Sequence, residues 1–316
     1  MFTRRINFLV VAALIAVIAV PYNAAASIFS NISDLEESEV FGQSSVFDPV
    51  GLLVGTDING DSFVAGSGVF ISNGIDGNNA WILTAGHVTF DEPNSPWESL
   101  RFNPNADFFG NLDGLLTADL SVPFPGFTNN EAGGGTGNDI ALVRLSDPIF
   151  GIDPAQRFFG PDDSLIGTEF ITAGYGNPGI FGQPLGAFDG IRRGGQNRIE
   201  SAGANFPQVQ VEDQFFVTDF DPFFSNDALP LEHQGSMNDS GSPFFVDING
   251  EYQIAGITNG SLTSDLSTFA IRTSLFNDFI DETISSNSTA VPEPGTMGLL
   301  TLELISGALR RRRRKA

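Results

Sequence analysis

Asn138-Asp139-Ile140-Ala141-Leu142-Val143-Arg144-Leu145 reads as a turn, Asn138-Asp139, running straight into a strand from Ile140 to Leu145. Its aspartate stands at the entrance to an apolar run. Upstream, Trp81-Ile82-Leu83-Thr84-Ala85-Gly86-His87 ends on one of only two histidines in the chain. Downstream, Asn238-Asp239-Ser240-Gly241-Ser242-Pro243 centres on a serine. In chain order these segments supply His87, Asp139 and Ser240. A serine hydroxyl is a poor nucleophile at neutral pH until a histidine takes its proton and a buried carboxylate orients that histidine. Each residue alone has a plainer reading: a satisfied core histidine, a turn before a strand, and a turn of ordinary composition. The second histidine, His233, lies shortly before Ser240 without a comparable motif and reads as a pocket or loop residue.

Outward from these segments, residues 40–284 alternate short apolar runs with Gly, Asn, Asp and Pro punctuation, the pattern of an all-β sandwich or barrel. Gly51-Leu52-Leu53-Val54-Gly55 and Ser62 to Ser72 flank Asp57-Ile58-Asn59-Gly60-Asp61, where Asn-Gly predicts a hairpin turn. Asp247-Ile248-Asn249-Gly250 repeats the device between Pro243–Val246 and Tyr252–Ala255. Both resemble calcium loops, but turn chemistry accounts for them. The Gly- and Asn-rich stretches Phe102–Gly137 and Asn177–Asn197 read as loops. The one helix expected is Ser274–Ile284, with Leu275, Phe276, Phe279, Ile280 and Ile284 on one face.

The chain has 316 residues, 41% of them apolar, with 30 Phe and no Cys. It can build a large core, and it must do so without disulfides. The net charge is −23, and Arg4, Arg5, Arg310 to Arg314 and Lys315 place most of the basic charge at the two ends. A middle so acidic repels nucleic acid and anionic lipid, which makes both poor partners; its plainest role is solubility.

The ends read as addresses. Arg4-Arg5, the apolar run Phe8–Val20, Pro21 and Ala24-Ala25-Ala26 form a signal peptide over 1–26 that suits the general secretory route better than twin-arginine export. A flexible linker spans 285–291. Beyond it Pro292-Glu293-Pro294, the mostly apolar Met297–Leu309 and the basic end resemble the PEP-CTERM sorting signal of Gram-negative bacteria, here 292–316. That resemblance implies an exosortase-type partner, a transient contact with the membrane, and delivery to the cell envelope or extracellular matrix. Glu303 inside the apolar stretch departs from the pattern, since a carboxylate is costly in hydrocarbon.

The three central segments resemble the histidine, aspartate and serine motifs of the trypsin/chymotrypsin-like serine proteases. Ala173-Gly174-Tyr175-Gly176 is similar to the aromatic Gly-X-Gly opening that family's second barrel, and Gly256-Ile257-Thr258-Asn259-Gly260 to the strand lining its cleft. The resemblance implies two six-stranded antiparallel β-barrels with a short C-terminal helix, the first over about 40–150 and the second over about 151–284. It implies a secreted serine endopeptidase acting on protein or peptide substrates, with neither a cofactor nor a catalytic metal. Ser240 becomes the nucleophile, His87 the base, Asp139 its orienting carboxylate, and the N–H groups of Asn238 and Ser240 the oxyanion hole. Gln234 falls at the floor of the substrate pocket, with Thr258, Gly260 and Thr268 on its walls. Without a carboxylate at Gln234, a preference for Lys or Arg is not implied, and a small or uncharged side chain is expected before the cut. The family's new amino terminus pairs with the carboxylate before the nucleophile, here Asp239. Val40-Phe41-Gly42-Gln43 is a loose match to that terminus, which makes 27–39 a pro-segment.

Two departures stand out. Asn238 and Ser242 occupy positions the family usually gives to glycine. They leave room for a rival reading, a catalytically impaired relative that binds protein or glycan at the cell surface. A structural matrix protein, the third reading, explains the acidity and the tail but not five ordered motifs.

Overall fold

In a computed structural model, the protein is described over residues 27–93, 95–105, 114–128, 137–203, 214–262 and 266–288. The signal peptide and the sorting tail expected at the two ends lie outside the described residues. The chain enters through a three-residue strand β1 (Ser27–Phe29) and a helix α1 (Ile32–Gly42). The Asn31 side chain caps α1 by accepting from the N–H groups of Ser33 and Asp34, which satisfies two of the donors a helix start leaves open.

Six strands then close a barrel: β2 (Val50–Thr56), β3 (Ser62–Ser72), β4 (Trp81–Thr84), β5 (Ser99–Asn103), β6 (Leu116–Pro123) and β7 (Ala141–Leu145), in the spatial order β2-β3-β4-β7-β6-β5. All its pairings are antiparallel. The β2–β3 hairpin turns at Asn59-Gly60, with Gly60 at φ +88°. The Asp57 carboxylate is occupied by the N–H groups of Asn59 and Asp61 at 2.9 and 2.8 Å, so turn chemistry accounts for this acidic loop. Phe70, Trp81, Phe102 and Leu142 are fully buried in the core, each such side chain contributing about 1.5–3 kcal/mol by leaving water.

The second half comprises β8 (Glu169–Gly174), β9 (Pro178–Ile180), β10 (Arg193–Arg198), β11 (Ser201–Ala202), β12 (Phe215–Asp219), β13 (Pro243–Ile248), β14 (Glu251–Leu262) and β15 (Ser267–Arg272). Its main sheet runs β10-β8-β13-β14-β15-β12-β11, and the two-residue strand Gln156–Arg157 joins β14 in parallel. The fold class is therefore the expected one: mostly β, a closed six-stranded barrel, a second β half and a short C-terminal helix. Two features depart in detail. The second half is an open eight-stranded sheet, and β1 pairs in parallel with β9 outside it.

The helix α2 (Asn277–Ser286) follows a 3-10 turn, Thr273–Phe276. Phe276, Ile280 and Ile284 are buried as the sequence pattern requires, while Leu275 is exposed. Phe276 and Phe279 meet Phe124 edge-on, with centroids 4.9 and 5.0 Å apart, so α2 ties the end of the chain to the first barrel. The helix runs to Ser286, two residues into the stretch expected as linker. The stretches expected as loops also contain strands: β6 in the first, β9 and part of β10 in the second.

Candidate active site

His87 follows β4 directly, in the 3-10 turn Gly86–Thr89. Asp139 precedes β7, the neighbour of β4 in the barrel. Barrel closure therefore brings the two together. Asp139 Oδ2 is 2.8 Å from His87 Nδ1, and Asp139 Oδ1 accepts the His87 backbone N–H at 2.8 Å. The Asp139 side chain is fully buried, whereas the His87 ring keeps 20% of its surface. Burial by itself would push the aspartate up and the imidazole down. The mutual attraction and the hydrogen bonds between them outweigh it, so Asp139 sits below the usual carboxylate range and His87 above the usual imidazole value.

Ser240 comes from the loop before β13, in the second half. Its neighbour Asn238 has φ +74°, a left-handed conformation that asparagine tolerates better than most residues. The Asn238 side chain donates to Asn177 Oδ1 at 2.9 Å. Among the described hydrogen bonds, none engages the N–H of Asn238 or of Ser240, which leaves both free to meet an acceptor. Gly241, at φ +90°, needs the absence of a side chain: a Cβ there would lie 1.9 Å from Ser67 O. The Ser240 hydroxyl makes a long contact, 3.5 Å, to Asn259 O; no described hydrogen bond joins it to His87.

Several residues that the motifs leave without a role hold this arrangement. Ser67 on β3 donates its N–H to Ser240 O at 2.7 Å and its hydroxyl to Asn238 O at 3.1 Å, which fastens the serine loop to the first barrel. Asn259 donates to Asp139 O at 2.7 Å and accepts from Ile271 N–H at 2.8 Å. Gln214 accepts the Asn138 N–H at 2.6 Å and donates to Asn138 Oδ1 at 3.1 Å, fixing the turn before Asp139 at its φ of +67°. Asn259 lies inside a segment with a family resemblance, Gly256–Gly260, which was the available signal for it; Ser67 and Gln214 carry none.

Of the expected pocket residues, Thr258 and Thr268 meet at Gly235, next to Gln234 in the chain. Gln234, Thr258 and Thr268 are buried. The Gly235 N–H donates to Thr268 Oγ1 at 2.9 Å, and Gln234 Nε2 donates to Leu262 O at 3.1 Å. Gln234 Oε1 is buried without a described partner. Gly260 lies against the Phe269 ring. His233, expected as a pocket or loop residue, has its ring against Phe29 and Nε2 3.7 Å from Asp239 Oδ2.

Asp239 itself is 1% exposed. It accepts from Gly176 N–H at 2.8 Å, Ser236 N–H at 2.9 Å and the Ser27 hydroxyl at 2.7 Å. Burial raises such a carboxyl, but hydrogen bonding from His233, Ser27 and Ser236 holds it below the usual range. Val40, expected to supply the amine for this carboxylate, lies instead in α1 with 76% of its surface exposed.

Residues 57–280 match the family model described as Trypsin. Among solved structures, the fold is similar to neuropsin, a serine protease expressed in the limbic system of mouse brain. That match has a TM-score of 0.54 and 17% sequence identity, and covers 76% of this chain and 96% of the other. No curated protein matches the chain by sequence.

Proposed function

The chain belongs to the trypsin family, and on that premise we propose that it is a secreted serine endopeptidase working through Ser240, His87 and Asp139. Ser240 Oγ attacks the scissile carbonyl while His87 Nε2 takes its proton. The tetrahedral oxyanion rests on the N–H groups of Asn238 and Ser240. His87 then returns the proton to the leaving amine, and water releases the acyl group by the same steps. Asp139 stays ionised throughout; it holds Nδ1–H in place and stabilises the imidazolium that forms. Each oxyanion donor is worth about 2.7–4 kcal/mol of the barrier.

The observation that carries this reading is the His87–Asp139 pair, at 2.8 Å with its carboxylate wholly buried, on the seam that the Ser240 loop crosses. Gln234 offers no charge to a basic side chain, which favours small or uncharged residues before the cut. The leader over 1–26 and the tail over 292–316 send the enzyme out of the cytoplasm and hand it to an exosortase-type partner for display at the envelope or in the matrix.

One observation favours a second reading, a protease-like surface protein that binds protein or glycan without cutting: the Ser240 hydroxyl turns to Asn259 O and not to His87. Incubating the exported protein with an unfolded protein substrate separates the two. New fragments whose appearance ends with Ser240→Ala support the peptidase, and the residues before their cut points give the preference. No fragments, with substrate retained on the protein, supports the binder.

A further inference from the structure

Phe63 on β3 is an exposed aromatic residue with a built support. It keeps 51% of its surface and stacks on Trp97, the ring centroids 6.4 Å apart and the planes 29° from parallel. Trp97 is fixed from two sides. Its indole N–H donates to Val88 O at 3.0 Å, and its ring covers Gly55 on β2, where a Cβ would come within 2.2 Å of it. Gly55 is the partner of Phe63 in the β2–β3 ladder, so the bare position on one strand makes room for the indole beside the ring on the other. Two rings held together, with Phe63 open to solvent, form a platform on which a third ring can pack.

The platform is continuous with the catalytic seam. Val88 follows His87 in the chain. A Cβ on Gly66 would lie 2.7 Å from Ser240 O and 2.8 Å from Val88 Cγ2, so β3 passes between the serine loop and the histidine turn at that point. From Gly66 the strand runs back to Phe63, about 10 Å of extended chain. Along this stretch β2 pairs with one edge of β3, whereas β4 pairs with the other only from Val69 onward. Among the described residues, no strand covers that second edge over 62–66. The acyl part of a substrate belongs on the opposite side, at β14, where the Ser240 hydroxyl touches Asn259 O. The leaving amine takes its proton from His87, so the segment after the cut departs over Val88 and Gly66, along the open edge of β3.

We propose that Phe63 and Trp97 select the leaving side of the substrate: the peptide lays the third residue after the cut on this pair, and an aromatic side chain is preferred there. An extended peptide advances at the pace of the strand beside it, so about 10 Å brings its third residue level with Phe63. An extended segment on an open strand edge gains main-chain partners, and side-chain pockets beside it supply the selection. Charge narrows the choice further. Asp61 and Glu98 are exposed and flank the two rings in sequence, so a carboxylate at the third residue meets like charge, and an aromatic ring does not. The inference deepens the serine peptidase reading and rests on it.

The test compares the exported full chain with Phe63→Ser and with Phe63→Tyr, which keeps a ring. Each digests a mixture of unfolded proteins, and mass spectrometry reads the first residues of every new fragment, which are the residues after the cut. Labelling with a fluorophosphonate counts the working sites, so that equal numbers are compared. Aromatic residues are expected at the third position about fivefold above their frequency in the mixture, with Asp and Glu depleted. Phe63→Tyr keeps this profile and Phe63→Ser flattens it. A profile flat at that position in the parent, or unchanged in Phe63→Ser, overturns the inference. A second measurement uses Ser240→Ala, which binds without cutting. Trp81, the other of the two tryptophans, is 1% exposed, so a change in emission on adding peptide reports Trp97. The tetrapeptide Ala-Ala-Phe-Ala is expected to change it at about a fivefold lower concentration than Ala-Ala-Glu-Ala. If the parent yields no fragments, the peptidase reading falls and the emission decides: a response selective for the Phe peptide supports the platform, and equal responses overturn it.

Discussion

His87 and Asp139 are carried by neighbouring strands of a barrel that closes on itself, whereas Ser240 sits in a loop before an open sheet and is fastened from outside that sheet. In the first barrel, neighbouring strands bring base and carboxylate to 2.8 Å, and Asn259 and Gln214 of the second half hold Asp139 O and the Asn138 turn. The second half borrows Ser67 from β3 to hold Ser240 O and Asn238 O, and Ser27 from the chain's entry to hold Asp239. One half of the site is therefore placed by barrel closure and steadied from the second half, whereas the other is held by contacts made elsewhere in the chain. Local stability within one protein varies in this way, and functional loops draw on its lower end.

The comparison breaks most sharply at Asp139. Asp139→Asn is expected to lower the fluorophosphonate labelling rate by about 10⁴-fold while Ser240 and its loop stay in place, because the amide leaves His87 in the wrong tautomer. A comparable rate in the variant would mean the barrel-borne pair is not the working base. Gly241→Ala attacks the other half. A Cβ 1.9 Å from Ser67 O at a φ of +90° must move the serine loop, and a loss of about 3 kcal/mol is expected in urea denaturation. A stability equal to the parent's would show that the loop is not held against β3.

A third prediction uses pH. Burial, reinforced by the neighbouring Asp221 and Asp219 charges, pushes Glu232 up to about 8. The folded state then keeps a proton that the unfolded chain gives up near its ordinary value. The stability linked to Glu232 is full below that ordinary value and is lost as pH rises toward about 8. Glu232→Gln is expected to remove a decline on the order of 3 kcal/mol between pH 4.5 and 8, measured by denaturation at each pH. A slope unchanged by the substitution would assign the decline to other groups. The smallest effect belongs to Asn238→Gly. Glycine removes a positive-φ cost of about 1 kcal/mol but also the bond to Asn177, so labelling should stay within about threefold of the parent. A tenfold gain would show that Asn238 impairs the oxyanion hole.

The same contrast explains what the sequence discloses. Strands and hairpins of the first barrel are local: Asn59-Gly60 turns where turn chemistry demands it, and Trp81–His87 and Asn138–Leu145 carry their context with them. The features that escape are set by distant contacts. Ser27 meets Asp239 across 212 positions, and no periodicity announces it. The helix α1 is hidden because its apolar residues do not share a buried face; Ile32 and Val40 are exposed, and its cap at Asn31 and its Glu39–Arg193 pair hold it. The activation terminus expected at Val40 falls within this helix. Asn259 was visible as part of a motif, but its grip on Asp139 O depends on how two halves of the chain meet.

The most direct measurement of the central claim is mass spectrometry of the exported protein after reaction with a fluorophosphonate from pH 5 to 9. One covalent adduct, mapped to Ser240 and lost in His87→Ala, is expected, with a rate that rises with pH through a midpoint above 6.5 as His87 gives up its proton. An adduct on another residue, or one on Ser240 that forms equally fast without His87, would contradict the account.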